Sequence, residues 1–352
     1  MIQENCTSKQ WISDISAAKK ADRVLVQKLI RAILLLEGLV ESNLKFVFKG
    51  GTALMLMLDS TKRLSIDIDI ILPIKPDGFD KLLSEIATHK GFTKVEEKKR
   101  TTKSGIEKSH YKFYFPCTLR ANIEEFVLLD ILFEENHYSN LISTPIESPF
   151  IAHNDIILRA TTPDFNNIMG DKLTAFAPNT TGIPYFKKDK PMGQEIIKQL
   201  YDIGNLFERI DDINTVRKVF IDFAKVELKY RSMGDDTNIV LDDIIENCLT
   251  ISLREPVGKA NFEVLKLGLK QIISYIFSEP YHIEKATTHA ARTAYLATLL
   301  RFDTPAIRYN AQDMKDWLIE QPYKTKLNKL KRTNPEAFYY WYRIYELTTR
   351  QI

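Results

Sequence analysis

The segment from Lys45 to Ile74 constrains the fold more than any other, because its hydrophobic period changes twice around a pair of glycines. Lys45 to Lys49 is short, rich in β-formers, and stops at Gly50-Gly51. Thr52 can then cap a helix through the apolar Ala53 to Leu58, ending near Ser60 to Arg63. From Leu64 to Ile74 the pattern alternates. Leu64, Ile66, Ile68 and Ile70 point one way, and Ser65, Asp67, Asp69 and Ile71 the other, as on a strand with one apolar face. Pro73 and Pro76 close it before a helical pattern from Phe79 to His89. The expected unit is strand, turn, helix, strand, helix.

Around this unit the chain supplies the rest of a mixed sheet. Ala17 to Ser42 repeats apolar residues at three and four positions, which predicts an amphipathic helix. Further strands are expected at Phe92 to Glu97, His110 to Phe115 and Ile123 to Phe133, the last almost continuously apolar and therefore central. After about Phe150 helical periodicity takes over, in Asp171 to Ala177, Gln194 to Arg209, Asn214 to Lys229, Leu241 to Ser252, Asn261 to Phe277, Ala286 to Arg301, Ala311 to Glu320 and Glu336 to Arg350. Pro178 to Pro191 reads as a long irregular loop. The class is α+β: an N-terminal mixed sheet with helices over residues 1–150, then a helical domain over residues 151–352. A chain of 352 residues accommodates two such domains.

The glycine pair and the aspartates carry the chemistry. Two glycines between a strand and a helix let backbone approach a phosphate, with the helix N-terminal amides and the Thr52 hydroxyl facing the anion. Asp67 and Asp69, two apart on one strand, project from one face with roots ~7 Å apart. Such a pair can hold two Mg²⁺ ions at the ~3.5–4 Å spacing of two-metal sites. Either element alone is commonplace, a turn or a solvated strand edge. Their combination on one strand-turn-helix-strand unit, with Arg63 and Ser65 between, is far more specific.

Other candidates have plainer readings beside the functional one. Lys172 opens a helix after Gly170 and can reach a triphosphate as a point charge, or is a solvated lysine. Lys198 and Asp202 lie four apart on one helix face, where they can form a surface ion pair. The flanking Ile196, Ile197, Leu200, Ile203 and Leu206 suggest instead a tightly packed helix that turns Asp202 inward. Asp130, inside the apolar Phe126 to Phe133, is costly to bury without a metal or a base, unless it ends its strand in water. Between Lys94 and Lys112 seven basic residues face three glutamates around the turn Lys103-Ser104-Gly105, as in a hairpin for RNA phosphates or a merely solvated one. The aromatic and basic residues between Tyr323 and Arg350 suit base stacking, but suit packing on a helical bundle better.

Composition narrows the class. A net charge of +3 advertises no nucleic-acid partner globally, so any basic surface is local. Cys6, Cys117 and Cys248 suit reduced thiols, and the six histidines form no i, i+4 pair for zinc. Without a signal-like N-terminus or a membrane-length apolar run, the expected location is cytoplasmic, away from membranes.

The run Phe48-Lys49-Gly50-Gly51-Thr52-Ala53-Leu54 followed by Arg63-Leu64-Ser65-Ile66-Asp67-Ile68-Asp69 resembles the first motifs of the AbiEii/AbiGii toxin family, nucleotidyltransferase-like proteins of the DNA polymerase β-like superfamily. Gly170-Asp171-Lys172-Leu173-Thr174-Ala175 and Lys198-Gln199-Leu200-Tyr201-Asp202-Ile203 are similar to its later motifs, although Gln199 stands where members often carry an acid. The resemblance spans about residue 20 to about residue 210. It implies a polymerase β-like nucleotidyltransferase domain whose nucleotide lies in the cleft toward the helical domain. It further implies catalytic roles for Asp67, Asp69, Lys172 and Asp202, and nucleotide binding by Gly50, Gly51, Thr52, Arg63, Ser65 and Lys198. Metal binding falls to Asp67, Asp69 and Asp130, the last being the best placed third acid, which polymerase-like transferases use as metal ligand or general base. The cofactor implied is Mg²⁺, with Mn²⁺ able to substitute, and the substrate an NTP. The activity implied is that of a toxin of a toxin–antitoxin or abortive-infection system, moving NMP onto RNA, foremost a tRNA acceptor end, with a cognate antitoxin as partner. Protein nucleotidylation by the same site is the second reading. A nucleotide- or antitoxin-binding module without turnover is the third, and the intact Asp67 and Asp69 count against it.

Overall fold

The computed structural model describes residues 1–58, 62–98, 107–305, 308–310, 314–321 and 323–349. They form two compact units, one of Met1–Asp164 with Ser274–Pro280, the other of Phe165–Ile273 with Tyr281–Ile352.

In the first unit, helices α1 (Lys9–Lys19) and α2 (Arg23–Glu41) precede strand β1 (Val47–Lys49), helix α3 (Gly50–Met57), strand β2 (Ile68–Ile71) and helix α4 (Phe79–His89). Strands β3 (Lys94–Glu97), β4 (Glu107–Pro116) and β5 (Glu124–Phe133) complete a five-stranded sheet in the order β1-β2-β5-β4-β3. Only β2 and β5 pair in parallel, and β5 is the central strand that its apolar run predicts. One sheet face, with Ile68, Ile70, Tyr111, Phe113, Phe115, Val127, Leu129 and Ile131, joins a core built with Leu29, Ile30, Ile33 and Leu36 of α2 and Phe79, Leu83 and Ile86 of α4. The hairpin β6 (Leu141–Pro145) and β7 (Arg159–Pro163) packs against β1 and α3.

Two expectations change here. The single helix over Ala17 to Ser42 is two, because Lys20 turns left-handed at φ 51° to close α1 and the Asp22 carboxylate accepts from Leu25 N–H to start α2. The strand over Leu64 to Ile74 shrinks to β2, because β1 offers partners only from Asp69 to Ile71. Upstream, the backbone pairs elsewhere: Leu64 N–H donates to Tyr275 O, Phe277 N–H donates to Lys62 O, and Arg63 bridges Ile276. The tip of the basic hairpin at Lys103-Ser104-Gly105 lies outside the described residues.

The second unit is mainly helical: α5 (Phe165–Ala175), a small hairpin of β8 (Phe186–Lys187) and β9 (Lys190–Pro191), then α6 (Gly193–Leu206), α7 (Ile213–Tyr230), α8 (Asn238–Leu253), α9 (Phe262–Gln271), α10 (Ile283–Phe302), α11 (Leu330–Thr333) and α12 (Pro335–Thr349). Helix α10 is buried on nearly every side, its Ala286, Ala290, Ala291, Ala294 and Ala297 admitting α6, α8 and α12 closely. Tyr339, Tyr340 and Trp341 of α12 are buried in this bundle, and Trp341 Nε1 donates to Ser252 Oγ, so these rings pack rather than stack on bases. The helix expected over Ala311 to Glu320 is absent from its described part, residues 314–320. There Asn328 satisfies both the N–H and the C=O of Ile319, and Trp317 stacks on Tyr342, so tertiary contacts override the local periodicity.

Candidate active site

The turn from β1 into α3 is built around contacts that only glycine permits. Gly50 has φ +79°, and a Cβ there would lie 2.1 Å from Asp69 Oδ2. A Cβ on Gly51 would lie 2.5 Å from Arg63 Nη2 and 2.7 Å from Ser65 Oγ. The backbone at the N-terminus of α3 therefore lies directly against a carboxylate, a guanidinium and a hydroxyl. The N-cap position, Lys49, contributes no side-chain cap, so the first amides of the helix keep their electropositive character.

Thr52 plays a different part from the one its position predicts. It stands inside α3 rather than capping it, is fully buried, and donates its hydroxyl to Asp67 O at 2.6 Å. It clamps the acid-bearing segment to the helix start and does not present its hydroxyl proton to an anion. Arg63, only 5% exposed, donates Nη1 to Leu64 O, while its backbone is held by the Tyr275–Phe277 segment. That segment, more than two hundred residues downstream, gives no sequence signal of its proximity.

The acids form a row across the sheet. Asp69 on β2 pairs in register with Asp130 on β5, Asp130 with His110 on β4, and Asp69 with Lys49 on β1. Asp67 lies just before β2, two residues from Asp69, with Ile68 buried between them. Asp130 does not end its strand in water: its Oδ1 lies 2.5 Å from His110 Nδ1, with side-chain exposures of 34% and 12%. His110 is a site residue that sequence reasoning passes over. The signal for it was the antiparallel pairing of the two strands flanking Arg120, which sets position 110 opposite position 130.

These residues suit a divalent cation by the chemistry of their donors. Asp67 and Asp69 offer hard carboxylate oxygens beside the glycine turn. Among the described residues no three His, Cys, Asp or Glu side chains gather into a closed cage. An all-protein cage is not what Mg²⁺ requires, since it is commonly held by one or two carboxylates together with substrate phosphates.

The later candidates meet in the helical unit. Lys172 sits in the last turn of α5 rather than opening a helix, because α5 starts upstream at Phe165. Its Nζ lies 2.7 Å from Asp202 Oδ2 and 3.2 Å from Gln199 Oε1, with Lys172 and Asp202 only 8% and 1% exposed. Asp202 faces α5 and pairs with Lys172, and Lys198 reaches back to Glu195 at 3.0 Å. Below this pair, His289 is buried among Tyr201 and Tyr281, and burial holds its pKa well below the usual histidine range, helped by Arg292 and Lys285.

The structure thus joins the Gly50, Gly51, Thr52, Arg63, Ser65, Asp67, Asp69 and Asp130 positions in the first unit, and Lys172 with Asp202 in the second. A family model described as nucleotidyl transferase AbiEii toxin, type IV toxin–antitoxin system, matches residues 34–324. The chain belongs to this family of nucleotidyltransferase toxins. No curated protein matches the sequence. Solved structures similar to the chain include MenT4, a nucleotidyltransferase toxin from Mycobacterium tuberculosis, at 13% identity and TM-score 0.47, covering 94% of this chain and 98% of that one. JHP933 from Helicobacter pylori, at 14% identity and TM-score 0.42, covers 78% of this chain and 89% of its own. A Helicobacter pylori protein described as a nucleotidyltransferase is similar at 14% identity and TM-score 0.40, over 78% of this chain and 92% of its own. Among the described residues no helix is long and apolar enough to cross a membrane.

Proposed function

We propose that the chain transfers NMP from an NTP to RNA, foremost to a tRNA acceptor end, in a Mg²⁺-dependent reaction in the cytoplasm, and that a cognate antitoxin restrains it. The observation that carries this reading is the glycine turn, whose backbone touches the Asp69 carboxylate on one side and the Arg63 and Ser65 side chains on the other. In metal-assisted phosphoryl transfer the phosphate oxygens and the acidic metal ligands are neighbours, and the close approach of this turn to Asp69 supports that reading.

In this reading the α3 amides at Gly50 and Gly51, with Arg63 and Ser65, hold the triphosphate, while Thr52 fixes the Asp67 backbone. Asp67 and Asp69 would hold Mg²⁺, which when bound neutralises charge on the phosphoryl oxygens. The acceptor hydroxyl oxygen bonds to the α-phosphorus, the bond from that phosphorus to the bridging oxygen breaks, and pyrophosphate leaves. Asp130, oriented by His110, takes the hydroxyl proton. Lys172 and Asp202 are assigned to the support of the helical unit, where the largely buried Lys198 pairs with Glu195.

The test supplies each α-³²P-labelled NTP, with Mg²⁺ or a chelator, to the protein mixed with total RNA and total protein. Label in RNA that disappears on chelation is expected. Label in protein alone would assign nucleotidylation of a polypeptide, and nucleotide binding without pyrophosphate release would leave a binding module.

A further inference from the structure

The acid row occupies one end of a sheet face that α2 and α4 do not cover. Moving away from Asp130 along β5, the same face carries Leu128 and then Phe126; along β4 it carries His110, Lys112 and Tyr114. Register completes the rows: Lys94, Tyr114 and Phe126 form one, and Glu96, Lys112 and Leu128 the next. The intervening residues Tyr111, Phe113, Val127 and Leu129 are buried on the other face.

At the far row Tyr114 and Phe126 make an aromatic pair at 5.8 Å. Lys112 Nζ stands 4.1 Å from the Phe126 ring centre, and Lys94 Nζ 5.5 Å from that of Tyr114. The Tyr114 hydroxyl is tied to Glu96, which also pairs with Lys94, so the ring is held in place while its surroundings stay exposed. Lys98 and Lys108, both exposed, and Lys28 of α2, whose Nζ stands 5.3 Å from the Phe126 ring centre, bring the lysines bordering this face to five, against Glu96, Glu124 and the acid row itself. A buried-core reading does not account for an aromatic pair left half-exposed beside lysines.

We propose that this face binds single-stranded RNA, with bases stacked on Tyr114 and Phe126, phosphates drawn by Lys112 and Lys94, and the 3′ end directed along β4 and β5 toward Asp130 and Asp69. The aromatic row lies four residues, about 13 Å, from the acid row, a span on the order of two nucleotide steps. Flat rings favour bases over a folded protein surface, because every base has a face to stack and the sheet holds the two rings at fixed positions. The proposal rests on the RNA-acceptor reading for the direction of the strand, and on this face alone for the binding.

The experiment uses the full chain and a 5′-fluorescein single-stranded oligoribonucleotide with a free 3′ hydroxyl, followed by anisotropy without NTP. The same RNA then serves as acceptor with labelled NTP. Tyr114→Ala is expected to weaken RNA binding about 5- to 150-fold, with Tyr114→Phe close to wild type. Lys112→Ala should flatten the dependence of log affinity on log salt by about 0.7. In the transfer assay both alanine variants should raise KM for RNA and leave KM for NTP unchanged. Wild-type binding that is indifferent to Tyr114→Ala and Lys112→Ala, or no RNA binding by the wild type, overturns the proposal. Transfer into RNA with a KM untouched by these substitutions also overturns it while leaving the acceptor reading intact. Binding lost in the variants, with no label entering RNA in the wild type, supports the binding face and removes the acceptor reading instead.

Discussion

The two units hold their charged groups in opposite ways. In the sheet unit, Asp67, Asp69 and Asp130 remain half-exposed and stand within two residues or one strand of each other. In the helical unit, Lys172 and Asp202 are sealed together below a tenth exposure. Concentrated like charge works against folding and persists where a ligand or ion will join it, whereas a sealed opposite pair holds helices in register. A motif lysine and a motif aspartate can therefore serve the fold as much as the chemistry.

The comparison breaks most sharply at the acids. Asp67→Asn or Asp69→Asn is expected to lower transfer about 10³-fold, the several kcal/mol that a bound cation supplies to the transition state. Melting of the metal-free variants should be no lower than that of the metal-free wild type, since one repelling charge is gone. Gly50→Ala should match this loss by driving a methyl group into Asp69. Retained transfer in both Asn variants would sink the assignment of these aspartates.

Lys172→Ala or Asp202→Ala should instead cost about 3–5 kcal/mol of stability, because each leaves a buried charge without its partner. Denaturant unfolding of the single variants and of the Lys172→Met/Asp202→Leu double variant checks this. Recovery of most of the loss in the double variant is expected. If the single variants melt as wild type but lose activity, the pair belongs to the chemistry and the contrast between the units fails.

The smallest effect is in pH. His289 is buried neutral, so its folded pKa lies below the unfolded value of ~6.5, and the unfolded chain binds the extra proton first. This contribution is fully present above that value and is lost as pH falls, with a slope approaching ~1.4 kcal/mol per unit between pH 6.5 and 5. His289→Asn should remove that slope, measured as melting temperature against pH, whatever it does to absolute stability. An unchanged slope would assign the acid sensitivity to other groups.

Much of this site was legible in the sequence because it depends on local order. The glycine pair, the alternating aspartates and the continuous apolar run of β5 are properties of neighbours in the chain, and period and backbone freedom act over a few residues. The sequence likewise indicates that the helix bearing Asp202 is packed tightly, since its apolar stripe is unbroken. What only the tertiary structure decided are the pairings between distant segments. Lys172 pairs with Asp202, Thr52 reaches the Asp67 carbonyl, His110 meets Asp130, and the Tyr275–Phe277 backbone holds Arg63. Each satisfies a buried or half-buried polar group, and the demand for such partners is set by which segments the folded core brings alongside, not by which residues adjoin in the chain.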